Sequence, residues 1–396
     1  MNANNSTNPP AGPVLGELLT ALGMGGAENL AVQIANAHVN AGGTAHLIVL
    51  SGPGALSDRV APGVVVHYLG YRRESIRHPL RFLRSVIRGY RLLAKVVRAE
   101  GIEVLQTHLP DANLWGLVMA LTTRCRVFVT IHNNVELGNE RRSRFNRAMV
   151  GSAFRVMFRA CDGVVACSEE VKRSIMADLG DSPALGAKVH VVTNGVLPAG
   201  EQTATMRSEI RARYGVRDDE FFIIAAGRFT EAKNFACLVD AMAVLKGSGY
   251  APKLVIGGEG PLHAAVKAQV GALGLDDLVQ TPGNIPDLLD VMQAADCLAL
   301  SSRWEGLPLV LLEGMMRGLP VVGTMIKGIS EIIRDGVEGR LVETDDPQAL
   351  AGALAGLIDD PSGAGSMGRA GRAVVEEKYS FARVYRELTA VFGCAR

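Results

Sequence analysis

Short apolar runs of two to six residues recur along the chain, separated by longer stretches in which apolar and polar positions share a helical period. In the first half such runs fall at residues 14–19, 46–50, 64–69, 104–108, 128–131, 163–167 and 189–192. A polar stretch at 198–220 interrupts the pattern, which restarts at 221–226, 254–256, 279–281, 297–300 and 321–322. Runs without alternation suit strands buried on both faces, so the expected fold class is α/β, with parallel sheets covered by helices. Ligands in such folds sit at the carboxyl ends of strands. The interruption predicts two domains, 14–198 and 199–376, preceded by a disordered polar tail at 1–13. A last helix at 377–396 is expected to be free to pack back on the first domain.

The most informative stretch follows the run at 297–300 and reads RWEGLPLVLLEGMMRG, from Arg303 to Gly318. Residues 309–316 are good helix formers, Gly318 and Pro320 stop them, and Pro308 tolerates the first turn because it needs no donor there. The unit is therefore strand, tight loop, helix. The loop Gly306-Leu307-Pro308 leaves backbone N–H groups free at a helix start, which favours an anion. Glu305 lies on that loop and Glu313 a turn inside the helix, where a carboxylate can accept from hydroxyl groups. Either glutamate alone reads more readily as a solvated acid at a helix start or an ordinary helical glutamate. The pair, set around Gly-Leu-Pro after an apolar strand, is the specific feature.

Other strand ends carry matching chemistry. The run at 221–226 ends in Gly227-Arg228, with Lys233 five residues beyond Arg228, and two cations beside a glycine suit a diphosphate. Turns follow at Gly257-Gly258-Glu259-Gly260-Pro261 and at Pro282-Gly283-Asn284. Near the start, Gly23-Met24-Gly25-Gly26 feeds a helix but meets neither the dinucleotide nor the Walker pattern, since Glu28 stands where a third glycine belongs. His108 and His132 both end apolar runs. A lone histidine is more often structural than functional, so each needs further support.

Charge divides the chain. Up to Leu197 there are 21 Lys and Arg against 14 Asp and Glu; beyond it, 20 against 26, within a total of only +1. Two segments concentrate the positive charge, Arg72 to Arg98 and Arg141 to Arg159, both with interleaved Leu, Phe, Val and Met. They read as a surface for anionic lipid head groups, or else as core helices with solvated arginine faces. A nucleic-acid partner is not expected, because the net charge is near zero and no binding motif appears. The six cysteines form no CxxC pair and no zinc spacing, which fits free thiols in a reducing cytosol. No run of 18 apolar residues occurs, so no membrane span is expected.

Taken together, the Gly-Met-Gly-Gly-Ala-Glu turn, His132, Asn194-Gly195-Val196, Gly227-Arg228 with Lys233, the Gly-Gly-Glu-Gly-Pro turn, and Glu305-Gly306-Leu307-Pro308 through Glu313 resemble the retaining glycosyltransferases of family 4, of GT-B fold. The likeness spans nearly everything after residue 14. It implies two Rossmann-like domains facing each other across a cleft, a nucleotide-sugar donor held by the second domain, and an acceptor held by the first. Arg228 and Lys233 would neutralise the diphosphate, Glu313 would bind ribose hydroxyls, and Glu305 with Gly306, Leu307 and Pro308 would hold the sugar. Gly227, Gly258, Pro282 and Gly283 would line the nucleotide, with Gly25, Gly26 and His132 contributed by the first domain. The chain departs from the family at Leu197, where Asp is usual, and at Lys327-Gly328-Ile329, where two glycines are.

The resemblance implies transfer to a glycan or lipid-linked acceptor, as in cell-surface polysaccharide or lipopolysaccharide synthesis, by a cytoplasmic protein peripheral to the inner membrane. No Asp-x-Asp pair is present, so neither a metal ion nor another cofactor is expected. Breaking the bond to a nucleoside diphosphate builds negative charge on the leaving phosphate, which Arg228, Lys233 and a helix N-terminus would stabilise. Two rivals stand beside this reading. One is a membrane-associated protein that binds nucleotide sugars without transfer; the other is a two-domain dehydrogenase, which would need the dinucleotide fingerprint that is missing.

Overall fold

The structure, a computed structural model, describes residues 12–23, 25–72, 74, 78–132, 158–179, 183–200 and 203–394. Most of the second basic segment, 141–157, therefore lies outside the described residues, as does most of the expected tail. The chain divides into two compact units: residues 1–193 with 384–396, and residues 194–383.

The first unit is built on a seven-stranded parallel sheet. Its strands are β1 (Leu15–Leu19), β2 (Ala45–Val49), β3 (Val65–Tyr68), β4 (Val104–His108), β5 (Arg126–Ile131), β6 (Gly163–Ala166) and β7 (Val189–Val191), in the order β3-β2-β1-β4-β5-β6-β7. Helices α1 (Gly26–Asn40), α2 (Pro79–Ala99), α3 (Pro110–Thr122), α4 (Glu169–Leu179) and the short α5 (Pro183–Gly186) connect them. Strands β1, β2 and β4 are buried at every position, as expected for the middle of a sheet covered on both faces.

The second unit repeats the plan with six parallel strands. These are β8 (Phe222–Ala226), β9 (Lys253–Gly257), β10 (Val279–Gly283), β11 (Cys297–Leu300), β12 (Val321–Thr324) and β13 (Gly339–Val342), in the order β10-β9-β8-β11-β12-β13. Alternation along β8 shows both faces at work. Ile223 and Ala225 join one apolar cluster with α7 (Phe235–Gly247), α8 (His263–Ala272) and α12 (Pro347–Asp359). Phe222 and Ile224 join another with α6 (Ala204–Arg213), α9 (Leu288–Ala294), α10 (Leu309–Met316) and the short α11 (Lys327–Ser330). Helix α13 (Pro361–Lys378) leads to α14 (Phe381–Cys394), whose end belongs to the first unit. There Tyr385 Oη lies 2.8 Å from His38 Nδ1, and Phe392 packs on Phe128.

In each sheet the strand order reverses beside its first strand, between β1 and β4 and between β8 and β11. Those reversals open a crevice at the carboxyl ends, because successive crossovers leave in opposite directions. Among the described residues no helix is long and apolar enough to cross a membrane. The five cysteines whose side chains are described are all free and buried.

Candidate active site

In the second unit the reversal lies between the residues that follow β8 and those that follow β11. After β8 the chain runs through Gly227, Arg228 and Phe229 to Lys233, and after β11 through Ser301 and Ser302 to Glu305 and Pro308. The two segments are tied together. Ser301 Oγ donates to the Lys233 carbonyl at 2.9 Å, Arg303 N donates to the Ala232 carbonyl at 2.8 Å, and Lys233 Nζ lies 2.5 Å from Glu305 Oε1. That same carboxylate oxygen accepts from Ser302 Oγ at 3.0 Å. Arg228 is exposed, and its guanidinium has no hydrogen-bond or ion-pair partner among the described residues. The exposed Arg228 thus directly follows Gly227, against which the paired Lys233 side chain packs: a Cβ on Gly227 would lie 2.7 Å from Lys233 Cε.

Glycines bring the strand ends close enough to share hydrogen bonds. Gly227 N donates to the Gly257 carbonyl at 2.9 Å and Gly258 N to the Gly283 carbonyl at 2.8 Å. Gly258 has φ of 131°, and a Cβ there would stand 2.0 Å from the Gly227 carbonyl oxygen, so no other residue fits. Pro282 and Gly283 close the rim at the end of β10, where the neighbouring Thr281 carbonyl lies 3.1 Å from His263 Nε2.

The loop Gly306-Leu307-Pro308 enters α10 with Pro308 in the cap position, so the first N–H groups of the helix have no side-chain cap. Asn194 Nδ2 donates to the Leu307 carbonyl at 3.4 Å. From the other side, Gly328 packs so tightly that a Cβ would lie 2.5 Å from the Gly306 carbonyl oxygen. The one glycine kept in Lys327-Gly328-Ile329 is the one the backbone contact requires. Glu313 is half-buried, one turn further along the helix.

In the first unit, Gly25 caps α1 and Gly26 begins it. The Glu28 side chain folds back over this turn: a Cβ on Gly25 would lie 2.2 Å from Glu28 Oε2. The chain's own carboxylate therefore sits over the helix start. His132 follows β5, and its Nε2 lies 3.1 Å from Nδ1 of His108 at the end of β4. His108 Nε2 in turn lies 2.6 Å from Glu17 Oε2, in the middle of β1. Burial pushes the Glu17 carboxyl well above the usual range and lowers both imidazoles to about 3. Burial thus disfavours the charged form of all three groups.

Sequence reading missed Glu17. Its apolar neighbours in Leu-Gly-Glu-Leu-Leu mark a strand, and one acid inside a fully buried strand was the available signal. A cluster with metal-ligand chemistry, His46, His67 and Glu100, was likewise not foreseen; its donor atoms lie within 4.8 Å of one another. The two rings there are 3.1 Å apart at Nδ1 and Nε2 with centroids 5.4 Å apart, so their lone-pair axes oppose rather than converge on an ion. That arrangement is an imidazole–imidazole hydrogen bond.

Comparison with known proteins places the whole arrangement. The family model described as glycosyl transferases group 1 matches residues 206–374, and that of glycosyltransferase family 4 matches residues 24–199. The two models together span most of the chain, and both describe glycosyltransferases. The chain is 36% identical over 174 residues to the D-inositol 3-phosphate glycosyltransferase of Arthrobacter sp. (strain FB24), covering 42% of this chain and 41% of that one. The curated relatives it matches at 30% identity or more are spanned over half of their length or less. A longer match, 24% identical, covers 71% of this chain and 72% of the UDP-Gal:alpha-D-GlcNAc-diphosphoundecaprenol alpha-1,3-galactosyltransferase of Escherichia coli. The crystal structure of Anabaena Alr3699/HepE in complex with UDP-glucose aligns with a TM-score of 0.80 at 20% identity, covering 96% of this chain and 99% of that one. The fold of the chain is accordingly GT-B, with two Rossmann-like domains.

Proposed function

We propose that this glycosyltransferase moves a sugar from a nucleotide-sugar donor, UDP- or GDP-linked, to a glycan or lipid-linked acceptor with retention of anomeric configuration. The observation that carries the reading is the Lys233–Glu305 pair at the strand reversal of the second unit, with the exposed Arg228 next to the Gly227 on which Lys233 packs. A diphosphate leaving group needs positive charge and N–H donors where its negative charge develops. Arg228 supplies the first bidentately, the uncapped start of α10 supplies the second, and Lys233 exchanges its partner for a phosphate oxygen. Glu305, so released, accepts from a sugar hydroxyl. Glu313 accepts from the ribose hydroxyls, while Gly258, Pro282 and Gly283 border the base. Among the described residues Glu305 is the nearest candidate for a covalent nucleophile but is better placed for a sugar hydroxyl, so the acceptor attacks on the face the phosphate leaves, and the phosphate takes its proton. Neither metal nor cofactor is required.

The relative named for transfer to a diphosphoundecaprenol-linked sugar supports a lipid-linked acceptor, and hence a role in cell-surface polysaccharide or lipopolysaccharide synthesis. So does α2. Its Arg81, Arg84, Arg88, Arg91, Lys95 and Arg98 recur every three or four residues and are all exposed, as are Leu80, Leu83 and Ile87 beside them. Such a face binds anionic head groups and inserts apolar side chains. Both features support a peripheral position on the cytoplasmic face of the inner membrane.

The test is incubation with UDP- and GDP-sugars plus a polyprenyl-diphosphate sugar, with EDTA present, followed by NMR of the product's anomeric proton. Retained configuration and released nucleoside diphosphate support the proposal. Binding without release would indicate the non-catalytic alternative, inversion would exclude the same-face step, and loss of activity restored by manganese would exclude metal independence.

A further inference from the structure

Three side chains from three adjacent strands form one hydrogen-bonded row in the first unit: Glu17 from β1, His108 from the end of β4, and His132 just past β5. Glu17 and His108 are fully buried, and His132 forms the partly exposed end. The two rings are inclined by 24° with centroids 5.4 Å apart. That separation is the 3.1 Å N···N distance plus the two ring radii, so the lone pair of one nitrogen points straight at the other. Each contact therefore carries a single proton, and a neutral imidazole can donate from only one of its nitrogens. The direction chosen at one end fixes the direction at the other.

We infer that Glu17 is a positioning residue: it donates its carboxyl proton to His108 Nε2, and this turns His132 into its Nδ1–H tautomer. In this direction Glu17 O–H meets His108 Nε2, His108 Nδ1–H meets His132 Nε2, and His132 Nδ1–H is left as a donor with no protein partner among the described residues. The reverse direction would require Glu17 to accept from His108 Nε2–H, either ionised or with its O–H buried and unpaired on Oε1, and would leave His132 Nδ1 as a bare acceptor.

Two observations select the first direction. Glu17 Oε1 is buried without any hydrogen-bond partner, which a neutral carboxyl's carbonyl oxygen tolerates far better than a carboxylate's charged one. No cation is paired with Glu17 among the described residues; the ionisable groups bearing on the row are Glu28 of α1, beside His108, and Tyr385 of α14, beside Glu17. Neither stabilises a carboxylate. Burial raises Glu17 and lowers both imidazoles, in agreement. The result is a neutral donor at His132, suited to an oxygen such as a sugar hydroxyl or a phosphate, without the cost of a buried imidazolium. The inference rests on the transferase reading only for what meets that N–H.

The test is the ¹⁵N spectrum of the full-length protein labelled at histidine, with His108 and His132 assigned through single variants. Both residues should show a protonated Nδ1 and a bare Nε2 at pH 7. A protonated Nε2 on His108 overturns the inference. Glu17→Gln should keep both tautomers, because its amide N–H can donate to the same nitrogen, whereas Glu17→Leu should leave a mixture at His132. If the Leu variant does not fold, the wild-type and Gln spectra still decide. In turnover, Glu17→Leu should lower kcat about 10-fold or more, with Gln restoring most of it. A spectrum as expected in a protein that transfers no sugar would count against the proposed function and leave the tautomer standing.

Discussion

The ammonium of Lys233 lies 2.5 Å from Glu305, and both side chains are largely shielded from water. The pair joins the loop after β8 to the loop after β11, across the strand reversal of the second unit. Neither charge is spent on surface solubility. A shielded pair of this kind loses more when one partner is deleted than it gains by forming, because the survivor is left uncompensated. A phosphate can replace Glu305 as the partner of Lys233, and a sugar hydroxyl can replace Lys233 as the partner of Glu305. On the proposed function, the pair would hold both side chains at the reversal until the ligand arrives.

Replacing Arg228 with Ala should cut kcat about 100-fold, the usual effect of losing one donor to transition-state charge. Lys233→Ala should do the same and also weaken folding, since Glu305 then stays shielded and unpaired. Arg228→Ala has no partner to orphan, so its melting temperature should not move. Steady-state kinetics and thermal unfolding of both variants check this. Near-normal kcat in both removes the diphosphate assignment.

Much of this unit was legible in the sequence, and the reasons are local. Strand ends were marked by glycines that the backbone needs, such as Gly258 against the Gly227 carbonyl. The helix after Pro308 was marked by its formers and its stop, and it occupies Leu309–Met316. What stayed hidden depends on pairing between distant segments. Nothing in the spacing of Lys233 and Glu305 says that they touch. Glu17, His108 and His132 meet only because β1, β4 and β5 are neighbours in the sheet, an order that apolar patterning does not specify. The hold of Gly328 on the Glu305–Gly306 backbone is likewise a contact between loops.

Changing Glu313 to Gln keeps its size and removes charge-assisted acceptance from ribose hydroxyls, worth about 1.5–3 kcal/mol. The donor Michaelis constant should rise by roughly 10- to 100-fold while that of the acceptor holds. Initial rates with each substrate varied in turn give the comparison. Equal donor constants in wild type and variant would mark Glu313 as structural.

Acid should destabilise the first unit through its buried imidazoles. His108 and His132 sit at about 3 when folded against an ordinary value of 6.5, so within that window the unfolded chain binds protons that the folded chain refuses. Stability therefore falls as pH drops, by up to about 1.4 kcal/mol per pH unit for each imidazole. Glu17 works oppositely. Its raised carboxyl contributes stability that is full below 4.5 and lost as pH rises through the folded value. Below 4.5 only the imidazole slope remains. Urea unfolding from pH 4.5 downward should thus be less steep in His108→Leu than in the wild type, by about 1.4 kcal/mol per pH unit. Parallel slopes would mean that His108 is not held neutral.

The last prediction concerns the basic face of α2. Its six exposed cations face outward together with Leu80, Leu83 and Ile87, and large apolar side chains exposed beside arginines have no folding benefit. Near an anionic leaflet each cation adds about 1 kcal/mol, an attraction that salt screens within a Debye length. Inserted leucines add a part that salt does not remove. The protein should therefore pellet with vesicles containing anionic lipid at low salt, and less at high salt. Changing Arg81, Arg84, Arg88 and Arg91 together to Glu should abolish pelleting while nucleotide-sugar binding persists, because most of the residues proposed to hold the donor lie in the other unit. Changing Leu80, Leu83 and Ile87 to Ser should instead weaken binding at every salt concentration, with the salt slope unchanged. If the wild type fails to pellet at low salt, the membrane assignment falls, and a soluble glycan becomes the acceptor to test.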